Sequence, residues 1–134
     1  MRSAPLAGKA NWSTLCALDK TAWSGQRAGM TTKILAPEDC RTMIEVRAGV
    51  DRTDRELIDL LERRFAYMRA AARIKQDRGA VRDETRKGQV IAAAVADGEA
   101  RGLPAKAIGE LWEALVEASI AYEFVEWDRL RKTA

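Results

Sequence analysis

The sequence predicts an all-α protein, and three observations carry that reading. Between Thr42 and Arg78 the apolar residues Met43, Val46, Val50, Leu57, Leu61, Phe65, Met68 and Ala72 recur at steps of three, four or seven, the repeat of one helical face. Runs of β-branched residues are absent and aromatic residues make up only 6%, so sheets lack their usual material. Pro37, Gly79, Gly102 and Pro104 punctuate the apolar stretches at positions where helices start and stop. At 134 residues the chain forms one domain, and the expected protomer has three helices, with the long one first.

Residues 1–29 differ from the rest. They hold Gly8, Gly25 and Gly29, scattered Ser and Thr, four cations and the single acid Asp19, with poor periodicity. No apolar h-region is present, so this is not a secretory signal peptide. We expect residues 1–35 to form a disordered extension, with Met30 as the natural start, and residues 36–134 to form the folded domain. An organelle transit peptide is the weaker alternative.

Pro37-Glu38-Asp39 suits the opening of a helical stretch, with acids near its N-terminus. The long helix then covers 42–78, and at the helical rise it spans roughly 55 Å. A compact domain of about 100 residues has a radius of gyration near 13 Å. A helix of this length would protrude from its own monomer and leave its apolar stripe wet, so it needs a partner, most simply a second copy. Gly79 fits the position just past its end. Asp83 then N-caps a second helix running to about Arg101, with Val90, Ile91, Ala94 and Val95 on its apolar side. Gly102 ends that helix and Pro104 opens a third, ending near Lys132.

Composition excludes several classes of chemistry. The chain has no His, so a His-ligated zinc site or a His-based triad is ruled out. Cys16 and Cys40 form no metal pattern, and a disulfide between them would require an oxidising compartment. The net charge of +3 is mild, and the cations are dispersed among acids, so we expect no nucleic-acid partner. No apolar run approaches the roughly 18 residues of a membrane span. We expect a cytoplasmic protein.

Three cations of the long helix stand out. Arg64 and Lys75 are separated by about 20° of helical phase and roughly 16 Å of rise, so two long side chains on one face can lean toward a small ligand between them. Arg47 lies about 100° round the helix from Arg64 and about 25 Å away. It cannot serve the same small site within one chain, but in an antiparallel pair of long helices it could serve the partner's. Spacing alone leaves two readings, a cationic pocket completed in trans or a set of solvated surface charges.

The arrangement Arg47 … Asp51-Arg52-Thr53-Asp54 … Leu60-Leu61-Glu62-Arg63-Arg64 … Ile74-Lys75 … Val81-Arg82-Asp83 … Arg86 resembles the all-helical chorismate mutase family over residues 37–131. The Pro37-Glu38-Asp39-Cys40 opening is similar to the isochorismate pyruvate lyase branch of the same fold. The resemblance implies an intertwined homodimer that binds a small dianion, chorismate or isochorismate, without a cofactor. Arg47 from the partner chain would reach the ring carboxylate, and Arg64 would hold the carboxylate of the enolpyruvyl side chain. Lys75 would hydrogen-bond the ether oxygen. Asp83, Arg86 and Ser119 would complete the pocket, with Asp83 near the ring hydroxyl. Glu123 occupies the place of a family Gln, or sometimes Glu, facing the ether oxygen.

Two positions depart from the family's usual pattern. Lys87 lines the implied site where a mutase generally carries a Glu touching the ring hydroxyl, and Lys cannot accept that hydrogen bond. Glu123, if ionised, would repel charge developing on the ether oxygen. It must carry a proton to donate, which burial favours and the adjacent cations oppose. The resemblance therefore implies a chorismate mutase first and an isochorismate pyruvate lyase second. A non-catalytic helical dimer that binds a partner is the reading from another class.

Overall fold

The computed structural model describes residues 33–132. The expected extension lies outside them apart from residues 33–35, as do Met30 and Cys16. The described chain runs through a 3₁₀ turn at Pro37–Asp39, helix α1 (Met43–Ile74), a second 3₁₀ turn at Arg78–Val81, helix α2 (Glu84–Ala100) and helix α3 (Ala105–Lys132). No strand occurs among the described residues. The expected all-α protomer of one long and two shorter helices is the fold observed. Two compact units divide the chain, one through Val50 and one from Asp51 onward.

In the first unit Pro37 opens the short 3₁₀ turn and not the long helix. The long helix starts on a reciprocal cap. Thr42 Oγ1 accepts from the Glu45 amide at 3.3 Å, and the Glu45 carboxylate accepts from the Arg41 and Thr42 amides, both at 2.8 Å. This box satisfies helix-end donors that would otherwise lack partners. The Arg41 and Thr42 amides hold the Glu45 carboxyl below its ordinary range.

In the second unit the apolar face of α1 becomes covered as it proceeds. Leu61, Phe65 and Met68 are half-buried, and Ala72 is wholly buried. Phe65 meets the Tyr122 ring edge-on, with centroids 5.1 Å apart, a contact typically worth about 0.5–1.5 kcal/mol beyond its burial. Leu57, Ile58 and Leu60 are exposed, as are Met43, Ile44, Val46 and Val50 on the earlier turns of the helix. The core is built from Val81, Val116 and Ile120, with Val90, Ile91, Phe124 and Trp127 packed against them.

Helix α1 ends at Ile74, four residues short of the expected Arg78. Asp77 is the reason: its Oδ1 accepts from the Gly79 amide at 3.0 Å and starts a new turn, which delivers Val81 to the core. Gly79 therefore lies inside that turn with a negative φ and is not a left-handed helix terminator. Gly102 is one, at φ 75°. The Leu103 amide bonds the Gly98 carbonyl at 2.9 Å and the Gly102 amide bonds that of Glu99 at 3.0 Å, the paired closure of a Schellman ending. α2 thus stops at Ala100, and α3 folds back on it closely enough that a Cβ at Gly98 would stand 3.1 Å from Ile108 Cγ1.

Candidate active site

One face of α3 reads the second half of α1. Ser119, Glu123, Trp127 and Arg131 follow at four-residue steps, so they share nearly one helical phase. Arg64 donates to Ser119 Oγ, and that hydroxyl in turn donates to the Leu115 carbonyl at 2.7 Å. The Lys75 ammonium lies 2.6 Å from Glu123 Oε1. Trp127 and Arg131 reach the backbone at the end of α1.

Ser119 and Glu123 are both buried, at 3% and 4% exposure. Polar groups at that depth need partners. Ser119 has two. Glu123 Oε1 meets no aligned hydrogen-bond donor, and its close neighbour is the Lys75 ammonium, at ion-pair distance but off the preferred direction. Burial lowers the Arg64 guanidinium below its ordinary value, and it stays charged at any working pH. Among the described residues no carboxylate pairs with the guanidinium of Arg64 or of Arg86.

These groups line a cavity of about 510 Å³ within the second unit. That is within the roughly 300–1,000 Å³ usual for small-molecule sites. Seven of the expected residues face it: Arg64, Lys75, Asp83, Arg86, Lys87, Ser119 and Glu123. Met68, Val81, Val90, Val116 and Ile120 supply an apolar wall. The lining carries four cations against two carboxylates, a formal excess of two positive charges. Arg47 is not a lining residue; it belongs to the first unit.

The start of α2 brings three of these residues to the rim. Asp83 caps the helix, its Oδ1 accepting from the Arg86 amide at 2.9 Å. Lys87 is drawn to α3, with Nζ 2.5 Å from Glu113 Oε1 and 2.7 Å from Glu117 Oε1. Arg82 forks onto the same Glu117 with two bonds of 3.0 Å. Glu113 and Glu117 hold the Lys87 ammonium up at about 12, and Arg82 with Lys87 hold Glu117 down at about 2. Sequence reasoning missed this cluster. Its only sequence signal is the pair Glu113 and Glu117, one turn apart on a face of α3.

A sequence model described as chorismate mutase type II matches residues 46–124, more than half of the chain. The chain belongs to the chorismate mutase type II family. The matched stretch contains all seven lining residues named above and Arg47. An isochorismate pyruvate lyase from Pseudomonas aeruginosa is 29% identical over 98 residues, which is 73% of this chain and 97% of the lyase. In this chorismate mutase type II chain the α1–α3 pairing sets a half-buried guanidinium and an ammonium along one cavity wall. No described helix of this family member is long and apolar enough to cross a membrane.

Proposed function

We propose that this chain is a chorismate mutase, converting chorismate to prephenate in a pocket completed by a second copy of itself. The observation that carries the reading is the convergence of Arg64 and Lys75 on one cavity in which the Arg64 guanidinium has no carboxylate of its own. A guanidinium so placed is suited to a ligand carboxylate, which it can grip in a bidentate fork. Arg64 and Arg86, the two lining guanidinium groups without a carboxylate partner among the described residues, fit a dianion, and the Val81, Val116 and Ile120 wall fits its ring.

The rearrangement is pericyclic: one C–O bond breaks as one C–C bond forms, with no nucleophile or general base. Arg64 binds the side-chain carboxylate and holds the substrate folded, so that the reacting carbons meet. Lys75 donates to the ether oxygen, where negative charge grows. Asp83 has Oδ1 committed to its cap and turns Oδ2 to the ring hydroxyl. Arg86 adds a second guanidinium at the rim. Arg47 reaches in from the partner to the ring carboxylate. The exposed stripe Met43, Val46, Val50 and Leu57 supports such a homodimer, since pairing would dry it. Lys87 is tied to Glu113 and Glu117, so its charge is answered outside the pocket lining.

The second reading is isochorismate pyruvate lyase, giving salicylate and pyruvate. The likeness to the Pseudomonas aeruginosa lyase over 97% of that protein favours it, and so does Lys87 at a position where mutases generally carry an acid. Incubating the pure protein with chorismate and with isochorismate separately, with Lys75→Ala as the blank, tests both. Prephenate from chorismate supports the first, and salicylate from isochorismate the second. Turnover of neither rejects both and leaves a non-catalytic dimer.

A further inference from the structure

The last carbonyls of a helix have no partner within it. At the end of α1 two of these carbonyl groups are taken by side chains from the far end of α3. Trp127 Nε1 donates to the Lys75 carbonyl at 3.0 Å. Arg131 Nη2 donates to the same carbonyl at 2.5 Å, and Arg131 Nη1 to that of Ala72 at 3.0 Å. The Arg131 guanidinium also lies over the Trp127 ring, 4.0 Å from its centroid, so each side chain fixes the other. A cation at this end of a helix is favoured by the helix dipole as well.

Lys75 is the residue just past the last turn of α1, and its amide still bonds the Ala71 carbonyl at 2.9 Å. Its ammonium faces the cavity while its carbonyl is held twice from behind. Neither Trp127 nor Arg131 lines the cavity. We propose that Trp127 and Arg131 are positioning residues: together they clamp the Lys75 backbone and so set where its ammonium stands in the pocket. The functional part of this inference rests on the role proposed for Lys75 above. Lys75 has no further helical turn behind it to hold that position; its next neighbours, Gln76 and Asp77, lie outside any helix.

The consequence is kinetic. Misplacing a catalytic group by about 1 Å can cost on the order of 10²-fold in rate. Losing the clamp should therefore lower kcat by about 10- to 100-fold and leave KM little changed, because Arg64 still binds the substrate carboxylate. Arg131→Lys keeps the charge but not the fork across two carbonyls, so it should recover only part of kcat.

The experiment uses the full chain and three variants, Arg131→Ala, Arg131→Lys and Trp127→Phe. Each is measured for kcat and KM with chorismate, for helical circular dichroism, and for the acetylation of every lysine by acetic anhydride, read by mass spectrometry. The expected result for Arg131→Ala is the fall in kcat without a matching rise in KM, and faster acetylation of Lys75 relative to Lys106. A folded Arg131→Ala protein with wild-type labelling at Lys75 would overturn the clamp, whatever its activity. If Arg131→Ala does not fold, Trp127→Phe, which loses the indole donor and keeps an aromatic ring beneath Arg131, decides by the same labelling. If the wild type turns over neither chorismate nor isochorismate, the proposed function fails, and the clamp still stands or falls on the labelling of Lys75.

Discussion

Arg64 meets Ser119, a hydroxyl, at the point where a guanidinium between two helices would ordinarily be given a carboxylate. The arrangement leaves the positive charge available while the side chain is held in place. Replacing the hydroxyl by an acid should abolish that availability. Ser119→Asp is expected to fold and to lose at least about 100-fold in kcat/KM, since the internal carboxylate competes with that of the substrate. Ser119→Ala should cost much less. Equal kcat/KM for wild type and Ser119→Asp would remove Arg64 from substrate binding.

Glu123 sits 4% exposed beside the Lys75 ammonium, in reach of the atom where charge is proposed to develop. As the carboxylate it opposes that charge, and as the acid it can donate to it. Glu123→Gln, whose amide can donate, should therefore match or exceed the wild type in kcat, and Glu123→Ala, which cannot, should lose on the order of 10²-fold. Equal kcat for the wild type and Glu123→Ala would take Glu123 out of the reaction.

The cluster of Arg82, Lys87, Glu113 and Glu117 ties the start of α2 to α3 and should make stability depend on pH in two windows. Glu117 is held from 4.5 down to about 2, by Arg82 first and Lys87 second. The stability it adds is complete above about pH 4.5 and is lost as pH falls toward 2. Lys87 is pushed from 10.5 up to about 12, so its share is complete below about pH 10.5 and is lost as pH rises through 12. Glu117→Gln should lower the urea midpoint near neutral pH, and the difference should shrink as pH falls below about 4.5 and vanish only below about pH 2. Molar salt should shrink the neutral difference, because much of this cluster is exposed. A difference between the two proteins independent of both pH and salt would show that the cluster contributes by packing alone.

The trans role of Arg47 has a direct test in mixed dimers. Arg47→Ala and Arg64→Ala should each be inactive alone. In a refolded equal mixture, half the dimers are mixed and each carries one intact site, so about a quarter of wild-type activity should return. No recovery on mixing, from variants shown to exchange subunits, would confine the site to one chain.

Much of this was legible in the sequence, for reasons that particular residues make plain. The phase of Arg64 and Lys75 on α1 follows from helical geometry alone, and both reach the same cavity. Asp83 as an N-cap and Gly102 as a terminator are local chemistry, and both are found. The Thr42 and Glu45 box is also written locally, as Thr-x-x-Glu, but apolar periodicity does not register it. The end of α1 was misplaced because Asp77 could equally well have continued a helix or capped a turn, and only the packing of Val81 chooses. The partners of Lys87 and of the Lys75 carbonyl lie 26 to 56 residues away in sequence, and no local pattern announces them. Apolar residues stay exposed on the first turns of α1, and the expectation of a second copy is put to the mixed-dimer test.

The four-residue cadence of Ser119, Glu123, Trp127 and Arg131 makes α3 intolerant of a change in frame. One inserted residue after Ser119 would rotate everything downstream by about 100°. Arg64 would keep its hydroxyl, while Lys75 would lose all three of its α3 neighbours at once. Length variation in this protein is therefore confined to the chain outside Ser119–Arg131, and a library that samples insertions along α3 should show that interval as a gap.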